Sequence, residues 1–183
     1  MVVLGICGRA RNGKSTVADA IQHAARTMYH ISAKQYDIGG MVLDFCIRAG
    51  RVPNKKREEL NAAELQTLVY VGGQQRDKDP DFWIRRVQLA MHEDSPEIAI
   101  IPNVRFPSEV GLVKAEVGFL IKVVALNENG SPYISPDRDA NDISETELHD
   151  LRTDYTITAY RGEVLLLGEY AHAIFNHIRR RIQ

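Results

Sequence analysis

Gly8-Arg9-Ala10-Arg11-Asn12-Gly13-Lys14-Ser15-Thr16 is the stretch whose reading decides the fold. It fits the phosphate-binding loop pattern G-x-x-x-x-G-K-[ST], and its flanks suit that pattern. The apolar run Val2-Val3-Leu4-Gly5-Ile6-Cys7 before it reads as a buried strand. Val17-Ala18-Asp19-Ala20-Ile21 after it has the apolar spacing of a helix. A strand, a glycine loop and a helix N-terminus together make an anion site. The loop's N–H groups surround a polyphosphate, and the helix dipole favours its negative charge. The loop residues Gly8, Arg11, Asn12, Gly13, Lys14, Ser15 and Thr16 would cradle a nucleoside triphosphate, with Lys14 reaching the outer phosphates and the Ser15 hydroxyl ligating Mg²⁺.

Outward from the loop, strand and helix patterns alternate. A first helix is predicted from Lys14 to Tyr29, a short second strand within His30 to Ile38, and a helix over Met41 to Ala49. Asn61 to Val71 reads as a helix capped by Asn61 with Glu64 three residues on, ended by Gly72-Gly73. Asp79 to Met91 reads as another, with Asp79 as its cap and Pro80 at its first position. Glu97 to Val104 and Phe119 to Leu126 read as buried strands, with a helix over Pro107 to Val117 between them. Tyr155 to Ala159 reads as a strand, and Glu163 to Ile182 as a closing helix. Residues 127 to 150 are polar and hold Gly130, Pro132 and Pro136, so they read as a mobile, lid-like excursion. This order implies a three-layer α/β fold of the P-loop NTPase kind, with a mostly parallel sheet of about five strands covered by helices on both faces. Ligands on such sheets bind at the carboxyl ends of the strands.

Composition sets limits. The chain has 183 residues, enough for one domain with a full core. A formal net charge of −1 promises no basic field for nucleic acid. The two cysteines, Cys7 and Cys46, fall in a strand and a helix, and read as reduced core residues. No apolar run reaches membrane length, so the expectation is a cytoplasmic protein with no membrane and no nucleic-acid partner.

Two further stretches carry chemistry. Ile100-Ile101-Pro102-Asn103-Val104-Arg105-Phe106-Pro107-Ser108-Glu109 lies at the same sheet edge as the loop. The planar fork of Arg105 suits two phosphate oxygens. Glu109 stands equally well as a site carboxylate or as a helix-start residue that complements the dipole. Leu65-Gln66-Thr67-Leu68-Val69-Tyr70-Val71-Gly72-Gly73-Gln74-Gln75-Arg76 is followed by Asp79, Asp81 and Trp83. Alone, this second stretch is ordinary helix structure, and Trp83 reads as core more readily than as a base platform.

Together the three stretches resemble the bacteriophage and bacterial deoxynucleoside monophosphate kinases. The resemblance rests on the phosphate loop, the segment "LQ…G…R…D.W" and the strand ending "VRFPSE", in the family's order over most of the chain. A weaker echo is Asn141-Asp142-Ile143-Ser144-Glu145. The resemblance implies a kinase domain over 1–183, with a monophosphate-binding helical region about 38–92 and a lid about 127–150. It implies transfer of the γ-phosphoryl group of ATP to a deoxynucleoside monophosphate, with Mg²⁺. Lys14, Arg76, Arg105 and Arg138 would then be catalytic. Asp37, Arg76, Arg105 and Glu109 would meet the acceptor, and Arg152 is a lesser candidate beside Arg138. A homodimer stays open.

Asn103 stands where the family usually has Asp, so it cannot lend a carboxylate to a Mg²⁺ shell. It could hold a metal-bound water while Asp37, Glu109 or Asp139 supplies charge. Asp142 stands where a lid His is common. The open alternatives are a dephospho-coenzyme A kinase-like or other small-molecule kinase, and a nucleotide-binding regulatory module with weak catalysis.

Overall fold

The computed structural model describes residues 1–136, 148 and 151–182. They divide into two compact units, one of Met1–Tyr36 with the described part of Ser95–Gln183, the other of Asp37–Asp94.

The first unit is built on a five-stranded parallel sheet in the order β2-β3-β1-β4-β5. The strands are β1 (Val2–Cys7), β2 (Ala33–Gln35), β3 (Ile98–Val104), β4 (Val117–Leu126) and β5 (Tyr155–Tyr160). Every residue of the central β1 is buried, as its unbroken apolar run requires when both faces are covered. In register, Val2, Val3, Leu4 and Gly5 pair with Ile98, Ala99, Ile100 and Ile101 of β3. On the other side Val2 through Cys7 pair with Val117 through Lys122 of β4.

One face is covered by α1 (Lys14–Met28) and by the last helix of the chain (Val164–Ile182). Helix α1 buries Val17, Ala18, Ile21, Ala24 and Ala25, an i, i+1, i+4, i+7, i+8 stripe. The last helix buries Leu167, Ala171, Phe175 and Ile178. Both stripes pack on Leu4, Ile6, Ile100, Ile121 and Ile157 in one core. The helix after β3, Pro107–Ala115, contributes Val110, Leu112 and Val113 to the core and leads into β4.

The second unit is helical. It holds α2 (Ile38–Arg48), a 3-10 turn (Arg57–Glu59), α3 (Ala62–Lys78) and α4 (Phe82–Asp94). In chain order the helix Pro107–Ala115 is therefore α5 and Val164–Ile182 is α6. Asn61 caps α3 by accepting from Glu64 N at 2.9 Å, and Glu64 answers through Asn61 N at 2.7 Å, as the spacing predicts. Helix α3 does not stop at Gly72-Gly73: it runs on to Lys78. Interior glycine costs only about 1 kcal/mol, and Trp83 Nε1 donates to Gly72 O at 3.1 Å. The chain breaks instead at Asp79, held extended at φ −157° and ψ 98° by the ring of Pro80. Helix α4 accordingly starts at Phe82, three residues after the predicted cap. Trp83 is 1% exposed and meets Phe45 and Phe82 edge-on at 5.7 and 4.8 Å between centroids, so it is a core residue.

The start of the expected excursion folds back on the sheet. Asn127 N donates to Ser131 O and Gly130 N to Asn127 O, closing a tight turn. Tyr133 N then donates to Ala125 O at 2.8 Å, beside an antiparallel bridge between Pro132 and Leu126. These bonds anchor the segment through Tyr133 to the end of β4, where the composition alone suggests a free loop. Arg138, Asp139 and Asn141 to Glu145 lie outside the described residues. No described helix is long and apolar enough to cross a membrane.

Candidate functional site

The end of β1 passes directly into the phosphate loop. Gly8 leaves the strand at φ 137°, a conformation that side-chain-bearing residues rarely adopt. A Cβ there would stand 2.3 Å from the Val123 carbonyl oxygen of β4, so the loop lies hard against that strand. Arg11 at φ 58° and Gly13 at φ 89° turn the chain again, and Lys14 begins α1.

Lys14 is 7% exposed, and its ammonium donates to the carbonyls of Gly8 and Arg9, each at 2.8 Å. The charge is thus anchored within the loop it serves. Ser15 is exposed and Thr16 half-buried. These residues open on a cleft of about 530 Å³, which is also lined by Arg11, Asn103, Arg105 and Ser135. That size is in the range of small-molecule sites. The walls bring together cations, hydroxyls and a helix N-terminus, a donor set that fits a polyphosphate. Mg²⁺ would find the Ser15 hydroxyl and the Asn103 amide oxygen here. Among the described residues no cluster of three His, Cys, Asp or Glu forms a metal site.

Arg105 is held from two directions. Its Nε donates to Asn103 Oδ1 at 3.1 Å. Its backbone N–H donates to Glu109 Oε2 at 2.6 Å, and the Phe106 N–H reaches the same oxygen at 3.3 Å. Glu109 is 2% exposed and sits in the first turn of α5. Its shown contacts therefore order the backbone that carries Arg105. Glu109→Ala is expected to lower stability by about 2 kcal/mol, because two part-buried donors lose their acceptor. At about 2–4 °C per kcal/mol for a chain of this size, Tm should fall by roughly 4–8 °C. Calorimetry checks this, and an unchanged Tm would contradict it.

The thiol of Cys7, at the end of β1, is pushed above its ordinary pKa by burial, with Lys122 and Lys14 pulling the other way. Cys7 and Cys46 are both free and buried, as their positions in apolar patterns predict.

Of the residues singled out from sequence, Arg11, Gly13, Lys14, Ser15, Thr16 and Arg105 meet at this cleft. Gly8 and Asn12 lie beside it, against β4. Asp37 and Arg76 belong to the helical unit. There Asp37 caps α2, accepting from Gly39 N at 3.1 Å and Gly40 N at 2.9 Å. Arg76 is half-buried in the last turns of α3. Arg152 is exposed.

Sequence reasoning missed Ser135 and Tyr133. Both are buried, at 4% and 6% exposure, with Ile134 exposed between them. The available signal is the short alternation Tyr133-Ile134-Ser135 between two prolines, which the surrounding polar composition masks.

No protein-family model matches the chain, and no curated protein matches it. Among solved structures it is similar to shikimate kinase from Aquifex aeolicus, with 13% identity and a TM-score of 0.48 over 96% of this chain and 98% of that one.

Proposed function

We propose that this chain is a P-loop kinase that transfers the γ-phosphoryl group of ATP to a nucleoside monophosphate, favouring a deoxynucleotide. The observation that carries the reading is the single cleft lined by Lys14, Ser15, Thr16, Asn103 and Arg105.

An acceptor phosphate oxygen is already ionised near neutral pH, since the second pKa of a phosphate monoester is about 6. No general base is then required. That oxygen attacks the γ-phosphorus in line, its bond to the β–γ bridging oxygen breaks, and ADP leaves with the electron pair. The protein's task is positioning and charge neutralisation. Lys14 and the loop N–H groups hold the donor phosphates. Arg105, braced by Asn103 and the turn that Glu109 caps, holds the acceptor phosphate. Mg²⁺, held at the Ser15 hydroxyl, would supply positive charge to offset that of the donor phosphates. Arg76, Asp37 and Arg138 complete the reading as acceptor and lid residues.

The test is ADP release measured with ATP, Mg²⁺ and each of the four deoxynucleoside monophosphates in turn. Acceptor-dependent ADP formation is expected. ATP binding with no such dependence would sink the reading in favour of another small-molecule acceptor.

The neutral Asn103 supports a second reading, a nucleotide-binding module with weak catalysis. The two separate cleanly. For a working kinase, Asn103→Asp is expected to change turnover by less than about threefold, because the amide oxygen already braces Arg105 and a carboxylate would do the same. A gain of about tenfold or more under saturating Mg²⁺ would favour the weakly catalytic module.

A further inference from the structure

A second cavity, of about 200 Å³, is lined by residues at the carboxyl ends of β1 and β4. Its walls include Cys7, Asn12, Lys122, Val124 and Tyr133, and Arg105 lines both this cavity and the larger cleft. The connection from β1 leads to β2 on one side of the sheet, while that from β4 leads to β5 on the other. The chain therefore diverges here, which is where open parallel sheets bind ligands.

Three observations give the cavity chemical character. Asn12 is 5% exposed, yet its Oδ1 is buried without a hydrogen-bond partner among the described residues. Its Nδ2 reaches only Val123 O, at 3.5 Å. A buried acceptor left unmade is costly, and such an atom marks the place of a missing donor. The other walls are largely apolar: Val104, Val123, Val124 and Pro132 stand with the Tyr133 ring, which the Arg161 guanidinium holds at 4.0 Å from its centroid. A volume of about 200 Å³ has room for one flat ring system.

We propose that this cavity takes a nucleobase, with Asn12 Oδ1 accepting from one of its N–H groups and Arg105 holding the phosphate of the same nucleotide at the border of the two compartments. The inference rests on the kinase reading for the identity of the ligand as a nucleotide. It assigns the base to a slot in the sheet-bearing unit, built from the loop and from the segment that folds back after β4.

The experiment is titration calorimetry on the full chain, with each deoxynucleoside monophosphate and separately with a non-hydrolysable ATP analogue. Val124→Phe fills the slot with an apolar ring, and Asn12→Leu removes the acceptor at similar volume. Each is expected to weaken binding of the nucleotide whose base occupies the slot by at least about tenfold, the scale of a methylene or an unpaired polar group in a pocket. Val124→Phe, which lies outside the phosphate loop, is expected to leave binding of the ATP analogue unaffected within about twofold. Asn12→Leu is also expected to raise the Tm of the ligand-free chain, since it deletes the orphaned oxygen. Should Val124→Phe fail to give a cooperative melt, Val124→Leu replaces it, with a smaller loss expected in the same direction.

Loss for the monophosphate places the acceptor's base in the slot and supports the proposal, while loss confined to the ATP analogue overturns it, because Arg105 holds the acceptor's phosphate. Folded variants that bind both nucleotides like the wild type overturn it, as does a wild-type chain that binds neither. Variant-sensitive monophosphate binding with no ADP formation would leave the slot standing and remove the kinase reading.

Discussion

Lys14→Ala is expected to lower acceptor-dependent ADP formation by about a hundredfold to a thousandfold, the scale for deleting one preorganised charge at a transition state. The ammonium is fixed before any ligand arrives, by the carbonyls of Gly8 and Arg9 at 2.8 Å each. It therefore needs no reorganisation as negative charge shifts toward the leaving oxygen. Its stem is buried, so it acts where water screens it little. Lys14→Arg is expected to restore little. A guanidinium is a broad planar fork and cannot occupy the position of a compact ammonium between two backbone carbonyls. Both variants should be assayed at saturating ATP and checked for a cooperative melt, because the two carbonyls also lose their donor. A variant of Lys14 that stays folded and retains activity within about threefold would mean that this loop is not the phosphate site.

Gly8→Ala is expected to lower stability by about 3 kcal/mol or more. Two effects add. The backbone at φ 137° strains any residue with a Cβ, at roughly 1–3 kcal/mol. The new methyl would also meet the Val123 carbonyl oxygen at 2.3 Å and its carbon at 3.2 Å. Those are backbone atoms of a paired strand, which cannot swing aside as a side chain can. Relief requires β1 and β4 to part just where Cys7 pairs with Lys122. At about 2–4 °C per kcal/mol, Tm should fall by roughly 6–12 °C or more. A thermal melt within about 2 °C of the wild type would show that the loop does not pack on β4 as described.

The elements legible in the sequence share a physical property: each is specified by its own residues. The run from Val2 to Cys7 is a strand because nothing in it is polar enough to face water. The glycine loop is legible because its backbone conformations demand particular residues at particular spacings. The cap of α3 is legible because Asn61 and Glu64 satisfy each other's backbone within four residues. The failures share the opposite property. Gly72-Gly73 does not end α3: it lies inside a helix that runs on to Lys78, with the indole of Trp83, eleven residues away, docked on the Gly72 carbonyl. Composition marks residues 127 to 150 as an excursion from the sheet, and it gives no sign that hydrogen bonds to the already formed end of β4 hold its start down as far as Tyr133.

The same division runs through the candidate site. The chain's residues alone determined the phosphate loop, the parallel α/β class and the presence of Arg105 at a strand's carboxyl end. These follow from local pattern, from glycine's freedom at positive φ and from hydrophobic periodicity. Only the tertiary structure decided that Ser135 lines the cleft beside the loop, and that Asn12 is left with a buried oxygen without a hydrogen-bond partner among the described residues. Those outcomes depend on which strand ends lie side by side. The strand order 2-3-1-4-5 brings residues as distant in sequence as Asn12 and Val123 to one edge, through contacts that no local spacing encodes.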